Sequence, residues 1–279
     1  MKNMLKIAAL SLAVLMLAFA FVGCGKDDTP VTTDGSTASS DAASTEDTTA
    51  ATEPVSDKVY TIASDNAFKP FEYLDVESNT YVGFDMDLLA AIAEDQGFKY
   101  TVANVGFDAA LGQVQAGQAD AVIAGMTIKP ERAEIFDFSD GYFEDGQIMV
   151  VAADSAIASL DELKGKVVAT KAGTMGLEYA ESVKDQYGFT TMMFEGSPEM
   201  YQAVAQGTCV ACFEDRSVIG AAIKDGQPLK VVGDVINPAS YGFGVKKGEN
   251  ADLIAMFNAG LANVKASGKY DEIAKKYGM

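Results

Sequence analysis

Between residues 58 and 279, short apolar runs alternate with helical patterns, stop, and then begin the same alternation again. The first series is VYTIAS, then DMDLLAAIAEDQ ended by Gly97, KYTVANV, FDAALGQVQA ended by Gly117, and DAVIAG. Leu88, Ala91 and Ile92 fall on one helical face, and the strand-like runs are continuously apolar, as in a sheet covered on both sides. After QIMVVAA the second series runs KVVAT, TMGLEYAESVKDQ, TTMMFEG, PEMYQAVAQ, CVACFED, a further helix, and LKVVGD. No fixed-period repeat of 20 to 50 residues is present. Two such units in succession predict an α/β protein with two parallel or mixed sheets. In open sheets of this kind ligands sit beyond the carboxyl ends of the strands. The residues that follow the runs are mostly polar, charged or glycine, with two phenylalanines among them, and they come from both units.

What precedes this body is of another kind. MKNMLKIAALSLAVLMLAFAFVGC places Lys2 and Lys6 before an apolar stretch that closes on Gly23 and Cys24, the layout of an export signal over residues 1–23. The apolar run is short for a bilayer span of roughly 20 residues. Val-Gly-Cys resembles a bacterial lipobox, with Phe21 where leucine is usual, and the resemblance implies cleavage before Cys24 and lipid attachment there. Residues 24–57 are nearly all Thr, Ser, Asp and Ala after the cysteine, and 25–57 hold no aromatic residue. Such a stretch cannot bury enough apolar surface to offset its ordering entropy, so it is expected to be a disordered tether. A flexible chain of that length spans roughly 30 Å r.m.s., enough to hold a body just off a membrane.

The formal net charge is −19, and −21 once the two leader lysines are removed. That speaks against nucleic acid or an anionic membrane surface as a partner. There is no histidine, which removes the commonest general base and zinc ligand. No metal or cofactor is expected. Cys209 and Cys212 lie in an apolar run with no second ligand pair nearby and read as buried free thiols.

Several blocks in order, ASDNAFKPFEY, YVGFDMDLLAAIA, AGMTIKPERAEIFDFSDGY, GKVVATKAGTMGLEYA and YGFGVKKG, resemble the bacterial extracellular solute-binding proteins, family 3. These are the polar amino-acid receptors of ABC importers, and the blocks look most like the glutamine-binding members. The resemblance covers essentially all of 58–279. It implies a two-lobed periplasmic-binding-protein fold (type II), with lobe 1 at 58–141 and 242–279 and lobe 2 at 147–236. The hinges would be 142–146 and 237–241. It implies a monomeric receptor that closes around a free L-amino acid and presents it to a transporter permease. Its only contact with the membrane would be the lipid anchor, on a Gram-positive outer face.

By the same resemblance, Arg132 would clamp the ligand's α-carboxylate, helped by Thr127 and the Met175 N–H. A guanidinium fork matches a carboxylate in two parallel hydrogen bonds. Asp215 and the Gly125 carbonyl, with Ala124 beside it, would receive the ammonium, and Phe68 and Phe107 would enclose the aliphatic stem. Read without the family, Arg132 pairs with Glu131, Asp137 or Asp140 on a solvated face, Asp215 caps the following helix, and the phenylalanines are core.

Asp65 and Lys171 would set the side-chain preference. An amide donates to the first and accepts from the second, which points to glutamine; a direct Asp65–Lys171 ion pair would ignore the side chain. Glu214 stands where the glutamine binders carry histidine and opens the site to a basic or other polar amino acid. Two readings of another class are a fold-related lyase or dehydratase and a sensor working with a separate partner. The lack of a histidine, of a nucleophile with a paired base and of a metal constellation argues against an enzyme.

Overall fold

The computed structural model describes residues 58–279; the expected leader, the lipidated Cys24 and the tether lie outside the described residues. The chain begins with β1 (Val59–Ser64), β2 (Ala67–Phe68), β3 (Glu72–Asp75) and β4 (Thr80–Val82). It continues through α1 (Phe84–Gln96), β5 (Lys99–Asn104), α2 (Phe107–Gln115), β6 (Ala121–Val122), α3 (Pro130–Ala133) and β7 (Phe136–Phe138). The long strand β8 (Phe143–Ala152) leads to β9 (Val167–Lys171), α4 (Met175–Tyr187), β10 (Thr190–Phe194), α5 (Ser197–Ala205), β11 (Ala211–Asp215) and α6 (Arg216–Lys224). Strand β12 (Leu229–Tyr241) returns to β13 (Gly244–Lys246), α7 (Ala251–Ala266) and α8 (Lys269–Lys276).

Two five-stranded mixed sheets result, ordered β5-β1-β6-β13-β7 and β10-β9-β11-β8-β12, and a small antiparallel sheet β2-β3-β4 stands beside the first. In the first sheet β1 pairs in parallel with β5 and β6, while β13 runs antiparallel to β6 and β7. In the second, β9 pairs in parallel with β10 and β11, and β8 runs antiparallel to β11 and β12.

Each sheet is covered on both faces because its strands alternate apolar side chains above and below. Tyr60 and Ile62 of β1 join Leu88 and Ile92 of α1 and Phe257 of α7, whereas Ala63 joins Ala110 and Val114 of α2. Ile148 and Val150 of β8 pack with Met200, Val204 and Ile219, and Met149 and Val151 pack with Leu163, Ala180 and Phe213. Full burial of each such Leu, Ile, Val, Phe or Met contributes about 1.5–3 kcal/mol over exposure. Cys209 and Cys212 are buried free thiols in the cluster around Ile148 and Val150.

The two lobes are joined by a pair of neighbouring strands. Tyr241, Ser240 and Ala239 of β12 pair with Phe143, Glu144 and Asp145 of β8 as one antiparallel ribbon, with register shifts on the β12 side between Val232 and Ala239. Among the described residues no helix is long and apolar enough to cross a membrane, and no group of three or more His, Cys, Asp or Glu is placed to hold a metal.

Candidate functional site

The carboxyl ends of β6, β9 and β11 and the segments that follow them face one cavity between the lobes. It has about 360 Å³ of empty space and is lined by Phe68, Phe107, Gly125, Thr127, Arg132, Lys171, Met175, Glu214 and Asp215 together with Ala124, Thr174, Gly176 and Phe213. Of the eleven binding residues named from the sequence, only Asp65 is absent from this lining.

Arg132 is placed by a short local device. Lys129 is extended, as a residue before proline prefers, and Pro130 opens α3. This turns the side chain inward, and Arg132 is 7% exposed. Nη1 donates to the Thr127 carbonyl at 2.9 Å and Nη2 to the Gly173 carbonyl of the other lobe at 3.0 Å. Its guanidinium carbon lies 5.4 Å from the centre of the Phe107 ring. Burial lowers its pKa, opposed by Glu178, Asp215 and Tyr241. The acids near it in sequence are not its partners: Asp137 pairs with Lys247.

Opposite stands Asp215, at the N-cap of α6 but not capping it with its side chain. Asp145, from the ribbon, accepts from the Ser217 N–H at 3.0 Å and takes the capping role. Asp215 is thus left to accept from Gln147 Nε2 at 2.7 Å and Tyr241 Oη at 2.5 Å. Burial, and then the neighbouring Glu214, push its pKa up to about 7. Glu214 is itself buried and accepts from Ser197 Oγ at 2.9 Å, Tyr201 Oη at 2.7 Å and the Asp215 N–H at 3.0 Å. Burial raises its pKa, and Lys171 is the largest opposing influence.

Met175 is the first residue of α4, whose N-cap Thr174 accepts from the Leu177 N–H at 3.3 Å. First-turn N–H groups have no acceptor within their helix, so they favour an anion in front of them. Gly176 lets this turn approach the opposite strand: a Cβ there would stand 2.6 Å from the Phe213 carbonyl oxygen.

Asp65 and Lys171 differ from the expected arrangement, in which both hold a ligand amide. They form a direct ion pair across the lobes, with side chains 1% and 2% exposed. Lys171 Nζ also lies 4.7 Å from the centre of the Phe68 ring. Asp65 stands behind the lysine and neutralises it. Lys129 of the first lobe bonds Glu178 of the second, and Lys69 bonds Asp225, at the rim.

Sequence reading missed Thr174, Gly176 and Phe213, as well as the supports Gln147, Asp145 and Tyr241. Thr174 and Gly176 lay inside a quoted motif and were legible there. The supports reach Asp215 and α6 from a distant strand pair, and no local pattern marks them.

The family model for bacterial extracellular solute-binding proteins, family 3, matches residues 60–279. The ABC transporter glutamine-binding protein GlnH of Bacillus subtilis (strain 168) is 32% identical, over 99% of this chain and 97% of its own. Among solved structures, an ancestral arginine-binding protein bound to arginine is 35% identical with a TM-score of 0.74, covering 79% of this chain and 98% of that one. Substrate binding domain 2 of Lactococcus lactis GlnP in open conformation is 41% identical, yet its TM-score is 0.56, covering 78% and 94%.

Proposed function

Because the chain belongs to the bacterial extracellular solute-binding proteins, family 3, we propose that it captures a free polar L-amino acid, glutamine first, between Arg132 and Asp215. It is a solute-binding protein of an amino-acid ABC transporter and not an enzyme. The finer reading is supported by one observation: the cavity is lined by a guanidinium with no acid partner among the described residues and by the carboxylate of Asp215, while the lysine beside them is already paired with Asp65. A zwitterion with an uncharged polar side chain matches that charge pattern. Arg132, Thr127 and the Met175 N–H take the carboxylate, and Asp215 and the Gly125 carbonyl take the ammonium. Phe68 and Phe107 border the stem.

Lobes of 58–141 with 242–279 and of 147–236 turn on the segments 142–146 and 237–241, a reading supported by the paired ribbon that these segments form. Contacts to both lobes favour the closed form by no more than the ligand's differential affinity for it. The closed monomer is what the permease engages. Cys24 carries the lipid anchor that holds it at the cell membrane.

Glu214 supports a second reading. It lines the cavity beside Asp215, and both carboxylates ionised would suit a basic side chain such as arginine. A thermal-shift panel of the twenty amino acids separates the two. Glutamine giving the largest shift supports the first, arginine, lysine or histidine the second, and no shift with any amino acid refutes both.

A further inference from the structure

Behind the binding cavity, in the core of the first lobe, lie two acids that form no salt bridge among the described residues. Glu72 of β3 and Asp85 of α1 are each 0% exposed, within hydrogen-bonding reach of one another. Asp85 Oδ2 accepts from the Gly125 N–H at 3.0 Å and from Tyr142 Oη at 2.7 Å. Asp85 Oδ1 and both Glu72 oxygens receive no hydrogen from any other group among the described residues. Around them are Phe71, Phe84 and Tyr142, an aromatic wall that gives a charge little solvation.

Two carboxylates side by side in such a place cannot both be ionised, and an uncompensated buried charge neutralises by taking up a proton. One hydrogen placed between Glu72 and Asp85 satisfies the orphaned Asp85 oxygen and leaves its other oxygen free for Gly125 and Tyr142. Those two contacts matter for geometry. Gly125 lines the cavity with φ of +54°, and Tyr142 is the residue before β8, where the chain leaves the first lobe. We propose that Glu72 and Asp85 hold a single proton between them and act as a positioning pair, fixing Gly125 at the binding site and Tyr142 at the hinge. The part that concerns ligand binding rests on the function proposed above; the shared proton does not.

The charged and titratable groups facing the pair are Asp65 after β1, Lys171 of β9, Tyr142 and Tyr270 of α8. Asp65 and Lys171 are paired with each other, so their influences on Glu72 oppose. Burial is the largest influence on both acids, raising Asp85 to about 6 and Glu72 well above its ordinary 4.5. A raised folded value gives stability that is complete below the ordinary value and is lost as pH climbs through the folded one. The pair therefore costs the folded state stability as pH rises.

The test compares the wild type with Glu72→Gln, whose amide supplies a permanent hydrogen to Asp85. Infrared spectra near neutral pH should show a protonated carboxylic-acid band in the wild type, with one carboxyl's intensity missing in Glu72→Gln. Urea unfolding across weakly acidic to alkaline pH should show the unfolding constant rising in the wild type by up to about tenfold per pH unit, with a flatter profile in Glu72→Gln. Absence of the wild-type band, or the same band and slope in both proteins, overturns the shared proton. Calorimetric titration with the amino acid that gives the largest thermal shift then tests the positioning. Glu72→Gln should keep its affinity at alkaline pH where the wild type weakens, and identical affinity profiles overturn that role. If no amino acid binds either protein, the proposed function fails, while the infrared and unfolding results still decide the proton.

Discussion

Lys171 of the second lobe and Asp65 of the first form an ion pair across the cleft that is almost completely withdrawn from solvent. Breaking a buried pair by removing one partner costs about 3–5 kcal/mol, because the other charge is stranded. The partners belong to different lobes, so this cost falls on the closed form and not on either lobe's core. Lys171→Met should weaken amino-acid affinity by on the order of a hundredfold or more and shift the urea unfolding midpoint little. Asp65→Leu added to it should restore part of the affinity. Calorimetry that found Lys171→Met unchanged would show that the pair plays no part in closure.

Arg132→Lys keeps the charge but loses the planar fork and the stacking over Phe107. Affinity should fall at least about tenfold, and further in Arg132→Ala, since truncating a buried charge partner costs about 2–5 kcal/mol. Equal calorimetric affinity for Arg132→Lys and wild type would remove bidentate clamping from the account.

The pH profile of binding follows from Asp215. In the unliganded protein its value of about 7 lies above the ordinary 3.8. The group therefore contributes stability that is complete below 3.8 and is lost as pH rises through about 7. For binding the sign reverses, because the ligand's ammonium needs the carboxylate. Affinity should rise by up to about tenfold per pH unit toward 7 and flatten there, before the alkaline weakening expected from the Glu72–Asp85 pair. Asp215→Asn should bind more weakly and lack that rise; the same rise in the variant would assign it to another group.

How much of this was legible depends on whether the signal is local. The strand VYTIAS coincides with β1, and the helix patterns after it lie within a residue of α1 and α2 at each end. The run DAVIAG, by contrast, forms only two residues of ladder in β6 before turning into the site. The β2-β3-β4 sheet escaped notice because its strands are two to four residues long. Ten of the named binding residues line one cavity because strand ends are where such sheets place ligands. Asp215 read equally well as a helix cap, and only the fold shows that Asp145, from 72 residues away from Ser217, relieves it of that task. Asp65 and Lys171 were paired correctly as opposites, but sequence could not decide whether they meet a ligand or each other. Glu72 and Asp85 were invisible as a pair, since an acid within an apolar pattern ordinarily marks a solvated position.

Gly176 controls how closely α4 approaches β11. An alanine Cβ would lie 2.6 Å from the Phe213 carbonyl oxygen and 3.2 Å from its carbon, backbone atoms that cannot rotate away. Gly176→Ala should lower stability by about 1–3 kcal/mol through overpacking and weaken binding, because the first turn of α4 and Asp215 then move apart. Thermal unfolding and affinity both equal to wild type would contradict this packing.

The central claim is that the cavity grips both ends of a free amino-acid zwitterion. Titrating the preferred amino acid beside its α-carboxamide and its N-acetyl derivative tests this most directly, because each blocked form removes one of the two charges. Heat of binding for the free amino acid and none for either blocked form is the predicted result. Comparable affinity for either blocked form would contradict it, since Arg132 or Asp215 would then have no charge to hold.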